Sequence, residues 1–459
     1  MALGRRKAER QEPLWVASGE VVRGPGSPFY TRLNAVLAEA GFDRWAERRC
    51  ASFYAANTGR PGIPPGVYFR MLMVGYFEGI DSERGIAWRC ADSLSLREFL
   101  GYDLTTPTPD HSTLSVIRGR IDLETHQEVF CWILERLAER GLLKGKTIGI
   151  DATTLEANAA MRSIVRRDTG EEYDEFLGRL ATESGIATPT REDLARLDRK
   201  RKKKASNDDW FNPHDPEAKV AKMKDGRTHL AHKAEHAVDM ETGATVAVTV
   251  QPADRGDTTS IGETLGEVME NLDEVSDESV PGRQHKMKEV VTDKGYHSND
   301  VLRDLEEMDL RSYASEPDRG RRNWKGKDEQ RDAVYANRRR IRGERGRRLL
   351  RKRGELLERP FAHCYETGGM RRTHLRGHEK ILKRLLIHAG AGNVALLMRG
   401  LLGAGTPRTL RDLARRLGAT PHALTEHVAA LTGQWMLRLI RALARTDAAS
   451  TYAPIRLAA

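Results

Sequence analysis

Two aspartates close runs of β-branched and apolar residues. In TIGIDATT the run ends on Asp151, and in EVVTDKGY a second one ends on Asp293. A carboxylate placed where a buried strand meets the carboxyl edge of a sheet is costly unless a cation compensates it or a proton neutralises it. One such residue is ordinarily a turn former that caps local amides. Two of them, on strands able to lie side by side, point to a shared cation. Hard carboxylate oxygens in a chain without a cysteine cluster suit Mg2+ or Mn2+. Two such ions about 3.5–4 Å apart would serve phosphodiester chemistry, one aiming the nucleophile and one stabilising the leaving oxygen.

A third carboxylate is expected from a helix predicted over residues 345–365, where Glu355, Glu358 and Glu366 compete. At 100° per residue, the apolar stripe of Leu350, Leu357, Phe361 and Cys364 centres close to Leu357. Glu358 then lies about 90° from the centre of that stripe, against about 150° for Glu355 and about 170° for Glu366. Glu358 alone borders the buried face, provided the helix continues through Gly354 and Pro360. The run His229, His232, His236 invites a zinc site, but no fourth ligand is evident and HLAHKAEH also fits a strand with alternating faces. The pattern GxxxxGK[ST] does not occur, which disfavours an ATP motor.

The elements that would carry these residues follow from periodicity and punctuation. Apolar spacing predicts helices over residues 32–42, 67–100 and 127–143, with Gly79, Gly101 and Gly141 as stops, so residues 1–143 read as an all-helical N-terminal unit. From residue 146 the period changes. Strands are predicted at 146–157, 228–238, 244–251, 288–296 and 310–314, with helices at 258–271 and 299–308 between the later ones. A hairpin joined through DMETG, followed by strands separated by helices, implies an α/β domain with a mixed sheet and flanking helices over 144–402. That domain carries polar insertions near 158–227 and 319–345. Residues 403–459 form a short helical C-terminal segment, whose stretch 409–431 has the spacing of two short helices.

Charge supplies the partner class. The 459 residues carry a net charge of +10, yet residues 319–353 alone hold 16 basic and 4 acidic side chains, an excess larger than that of the whole chain. A second block, Arg199, Lys200, Arg201, Lys202, Lys203 and Lys204, is uninterrupted. Localised positive charge attracts a polyanion, most commonly a phosphate backbone. The four cysteines are scattered, which argues against disulfides and for a reducing, cytoplasmic setting. The longest apolar stretches fall far short of the ~20 residues that cross a bilayer, so no membrane is expected, and the N-terminal MALGRRKAERQEPL does not read as a secretory signal.

Several ordered stretches resemble a known group. IGIDATTLEANA, HKAEHAVDMETG, VVTDKGYHS, GELLERPFAHCYETGGMRRTHLRGHEK and GNVALLMR are similar to the landmarks of bacterial insertion-sequence transposases with a ribonuclease-H-like DDE domain. The upstream FRMLMVGYFEGIDSERGIAWRCADSLSLREFLGYDLTTPTPDHSTLSVIRGRI resembles the N-terminal helical domain of that group, so the likeness spans roughly residues 60–400. It implies a ribonuclease-H-like fold and Asp151, Asp293 and Glu358 as a catalytic, metal-holding triad for two Mg2+ or Mn2+ ions. It also implies double-stranded DNA as partner, both element inverted repeats and target, and a homodimer or larger assembly on the nucleoid. Many relatives place Tyr, Arg and Lys seven before, four before and seven after the Glu. Here those positions hold Arg351, Gly354 and Tyr365. Phosphate contacts are expected from Arg338, Arg339, Arg340, Arg342, Arg347, Arg348, Arg351, Lys352 and Arg353, with the 199–204 block as a secondary patch. Two other readings carry the same residues: a nuclease of the same fold without strand transfer, and an inactive DNA-binding repressor.

Overall fold

In the computed structural model, residues 26–55, 62–201, 205–223, 226–277, 279–280, 282–318, 320 and 322–426 are described. Helix α1 (Pro28–Glu39) opens on a proline, whose missing N–H is no loss in a first turn. Gly41, in the left-handed region at φ 69°, separates it from α2 (Phe42–Cys50), so the apolar spacing predicted over 32–42 belongs to two helices. The long pattern over 67–100 is likewise three helices, α3 (Pro65–Glu78), α4 (Glu83–Asp92) and α5 (Leu94–Leu100), with left-handed Gly79 and Gly101 as stops. Helices α6 (His111–Arg120) and α7 (Leu123–Glu139) begin on Asp110 and Asp122, whose carboxylates accept backbone N–H bonds from Thr113 and Thr125.

The sheet begins with β1 (Thr147–Glu156). The insertion that follows is not a bare polar loop. It contains β2 (Val165–Arg166), α8 (Tyr173–Glu183), α9 (Arg191–Lys200), β3 (Trp210–Phe211) and β4 (Lys219–Lys222) around a small core in which Tyr173 and Phe176 both meet the Trp210 ring at 5.1 Å. Next come β5 (Thr228–Asp239), β6 (Thr245–Pro252), α10 (Asp257–Glu274), β7 (Glu289–Thr292), α11 (Asn299–Glu307) and β8 (Arg311–Ala314). The second basic insertion is helical too: α12 (Asp328–Arg342) leads directly into α13 (Glu344–Phe361). The strands lie in the order β6, β5, β1, β7, β8, with β5 antiparallel to β1 and β6, and β7 and β8 parallel to β1. Strand β4 pairs with the start of β5.

This mixed sheet, 3-2-1-4-5 in strand sequence with helices on both faces, is ribonuclease-H-like. The face of β1 that carries Asp151 is crossed by α13. Side chains alternate along a strand, so Glu235, opposite Ala152, points to the other face, where Ser260 and Thr264 of α10 meet it. The last long helix, α14 (His378–Leu402), is apolar and long enough to cross a membrane, yet most of it is buried. Its Ala389 to Gly392 stretch brings it close to α7, where a Cβ on Gly390 would stand 2.8 Å from Ile133 Cδ1. On another side Asn393 bonds both backbone groups of Thr245 on β6. Helix α15 (Pro407–Arg416) follows, and residues 421–426 begin the second helix predicted within 409–431, whose remainder lies outside the described residues.

Gly149 is what lets α13 settle on β1. A Cβ there would lie 2.6 Å from Met240 Sδ and 3.2 Å from Leu357 Cδ1. Gly149→Val should therefore destabilise the fold by about 1–3 kcal/mol through overpacking. The expected result is a lower urea midpoint with an unchanged slope.

Candidate active site

Strands β1 and β7 run parallel with Gly149 opposite Val291. Two residues further along each chain stand Asp151, within β1, and Asp293, just past the end of β7, near enough for the Asp293 charge to act on Asp151. Asp293 caps a 3-10 turn (Lys294–Tyr296), its Oδ1 accepting the Gly295 N–H at 2.7 Å. Asp151 Oδ1 accepts the Ala152 N–H at 2.9 Å, and Oδ2 lies 3.2 Å from Arg353 Nη1 on α13. Burial raises the Asp151 carboxyl above its ordinary range; the Arg353 guanidinium and the Ala152 N–H pull it back, and the nearby Asp293 charge pushes it up again. The side chain keeps 24% of its surface exposed, so the site is reachable from solvent.

Helix α13 continues through Gly354 and Pro360, as the Glu358 argument requires, then widens into a π-turn (Ala362–Thr367). Leu357 is buried against Gly149. Of the three competing glutamates, Glu355 pairs with Arg359 and Glu366 with Arg371. Glu358 is exposed and makes no ion pair among the described residues. It is not joined to the two aspartates either: no group of three His, Cys, Asp or Glu side chains able to hold a metal occurs among the described residues. The structure thus brings Asp151 and Asp293 together, and the residue of α13 that reaches Asp151 is Arg353.

The histidine run divides its members among separate tasks. His232 Nε2 meets Asp215 Oδ2 at 3.1 Å inside the first insertion's attachment. His236, the cross-strand neighbour of Asp151, bonds the hydroxyl of Tyr365 in the π-turn and is held neutral by burial, which pushes its pKa down to about 3. The three do not converge on a zinc site. Of the three positions around Glu358 that the resemblance singled out, Tyr365 is buried, whereas Gly354 faces open space and Arg351 is exposed.

The basic residues also divide. Arg338 pairs with Glu316, Arg340 donates to the Ser312 carbonyl, Lys352 donates to the Met240 carbonyl, and Arg353 meets Asp151. Arg339, Arg342, Arg347, Arg348 and Arg351 are exposed. Arg347, Arg351 and Glu358 fall within about 40° of one another around the α13 axis, a stripe about 17 Å long. In the other block Arg201 pairs with Asp198, Arg199 donates to the Ala195 carbonyl, and Lys200 is exposed; Lys202, Lys203 and Lys204 lie outside the described residues.

A charged network on the reverse face was not anticipated from sequence. Lys233 Nζ lies 2.9 Å from Glu235 Oε1 and 2.6 Å from Asp257 Oδ1, and Glu235 also accepts from Ser260, Thr264 and Tyr296. Tyr296 ends the turn that Asp293 caps, so this buried cluster anchors the Asp293 loop from beneath the sheet. The signal was present in HLAHKAEH, where two charged residues at i and i+2 share one face of an otherwise buried strand.

A 3-2-1-4-5 mixed sheet with one aspartate inside its central strand, which runs on to Glu156 rather than ending at Asp151 as the sequence suggested, and a second just past the end of the neighbouring strand has the layout of a ribonuclease-H-like domain. Two family models match the chain: Transposase domain (DUF772) over residues 23–120 and Transposase DDE domain over residues 187–394. The second takes in Asp293 and Glu358 and begins after Asp151. No curated protein and no solved structure matches at a significant level. The chain belongs to the insertion-sequence transposases with a DDE catalytic domain. It is a DNA transposase, and its family generally uses divalent metal ions. The donor set seen here fits such an ion: Mg2+ takes one or two protein carboxylates and leaves its remaining positions to water and substrate oxygens.

Proposed function

We propose that this transposase binds the terminal inverted repeats of its element, hydrolyses one strand at each end, and joins the freed 3′ hydroxyl to target DNA. In the first step water attacks phosphorus and gives up a proton to solvent, while the P–O3′ bond breaks and the leaving 3′ oxygen takes up a proton to become the free hydroxyl. In the second the 3′ oxygen attacks a target phosphorus and displaces that strand's own 3′ oxygen, so no nucleotide cofactor is consumed. Asp151 and Asp293 would hold two divalent cations, Mg2+ or Mn2+, with Glu358 completing the second. Bound there, the ions would activate the attacking oxygen and stabilise the leaving one. The observation that carries this reading is the meeting of Asp151 and Asp293 on neighbouring parallel strands, with the basic helix α13 reaching Asp151 through Arg353.

The N-terminal helices, within residues 1–143, are assigned to recognition of the ends, and the exposed arginines to gripping phosphates near the cut. Residues 144–402 form the catalytic unit and 403–459 the C-terminal segment. Synapsis of two ends calls for a dimer or larger assembly, working in the cytoplasm on the nucleoid. Purified protein, DNA carrying the element ends, Mg2+ and a supercoiled target test the proposal. Joined products support it; cleavage without joining indicates a nuclease, and binding alone a repressor.

The arginine stripe makes a separate prediction. Arg347→Ala combined with Arg351→Ala should weaken duplex binding to about the same extent on any sequence. The slope of log K against log salt should fall by about 2, one phosphate contact per arginine. Fluorescence anisotropy between about 50 and 200 mM KCl, the range over which such contacts respond most visibly, would show it.

A further inference from the structure

Arg353 sits where the site's positive charge is needed. Its Nη1 is buried 3.2 Å from Asp151 Oδ2 and makes no aligned hydrogen bond among the described residues. The side chain is only 18% exposed, unlike Arg347, Arg348 and Arg351 on the same helix. Arg353 and Glu358 are five residues apart, which is about 140° around the helix axis. In the observed orientation α13 turns its Arg353 side to Asp151 and leaves Glu358 exposed.

We propose that Arg353 is the resident counter-cation of Asp151 in the DNA-free protein and competes with the divalent ion for that carboxylate. The inference rests on the metal-site reading above and adds a regulatory step to it. A duplex phosphate draws the guanidinium away and frees the Asp151 carboxylate for the cation, while Leu357 keeps α13 seated on Gly149. Metal binding and DNA binding are thereby coupled, each strengthening the other by the same factor.

The test is Mn2+ affinity of the full chain, read by the electron paramagnetic resonance of free Mn2+, with and without a short duplex. Arg353→Gln should bind Mn2+ about fivefold or more tighter than the unaltered protein without DNA, and the duplex should add little. In the unaltered protein the duplex itself should tighten Mn2+ binding by a similar factor. Arg353→Lys, which keeps the charge, should resemble the unaltered protein; equal tightening in both variants would mean loosened packing of α13 and would overturn the proposal. If Asp151→Asn abolishes the Mn2+ site but Arg353→Gln binds no tighter, the counter-cation role fails and the metal-site reading stands. If Asp151→Asn leaves Mn2+ binding unchanged, the metal-site reading itself fails.

Discussion

Asp151→Asn and Asp293→Asn should each reduce strand cleavage by about 10³-fold or more, equivalent to about 4 kcal/mol of transition-state stabilisation, while duplex affinity stays within about twofold. Both changes keep shape and remove charge. Asn at 293 can still accept the Gly295 N–H that caps the turn, so the loop keeps its conformation and the loss reports the missing carboxylate. Asn at 151 removes a carboxylate that burial already disfavours in its charged form, so the fold should tolerate it. On the reading proposed above, with the divalent ion saturating and Arg353 displaced from residue 151, duplex affinity rests on phosphate contacts from the exposed faces of α12 and α13. Cleavage of end-bearing DNA and anisotropy with the same duplex provide the two measurements. Unchanged cleavage in either variant would remove that aspartate from the active site.

Lys233→Met should be the most destabilising single change in the sheet, by about 3–5 kcal/mol, because it strands a buried carboxylate. Glu235 has no exposed surface, and with the ammonium gone its charge rests on three hydroxyl donors, Ser260, Thr264 and Tyr296. Asp257, part-exposed, can recover water, so most of the cost falls on Glu235. Urea unfolding followed by circular dichroism measures it, and a loss under about 1 kcal/mol would show that water or a proton relieves the pair. Replacing both members, Lys233→Met with Glu235→Leu, should recover much of the stability, since a buried pair is often no better than apolar residues of similar volume. Such a double variant would still lack the acceptor for the Tyr296 hydroxyl, and cleavage should remain impaired as the Asp293 turn loosens.

How much of this was legible beforehand differs from element to element. Asp151 and Asp293 announced themselves because each interrupts a β-branched run, and a sheet has few places for a carboxylate. Their pairing followed from topology, since only strands adjacent in the 3-2-1-4-5 order bring them together. Glu358 could be singled out by helical phase, yet it is exposed in the structure and forms no acidic group with the two aspartates among the described residues. That Glu358 stands apart from the aspartates could not be read, because helical phase fixes a direction and not the seating of α13 over the sheet. Charge counting located the basic helices but could not separate folded from free arginines. The partners of Arg338, Arg345 and Arg353 are Glu316, Glu289 and Asp151, distant in sequence and invisible to a local count. The first insertion looked polar because its core is a handful of aromatics, Tyr173, Phe176 and Trp210, spread over 38 residues of charged chain.

Helix α14 belongs to both halves of the molecule at once, resting on α7 along one flank and on β6 along another. The N-terminal helical half therefore has no independent lifetime as a detachable module: its apolar interior is completed by a segment translated some 240 residues after α7 ends. A ribosome must release nearly the whole polypeptide before that interior can close. Exchanging the N-terminal half for that of another element, as modular evolution would invite, requires α14 to be exchanged with it, and with α14 comes the side of the sheet on which β6 rests.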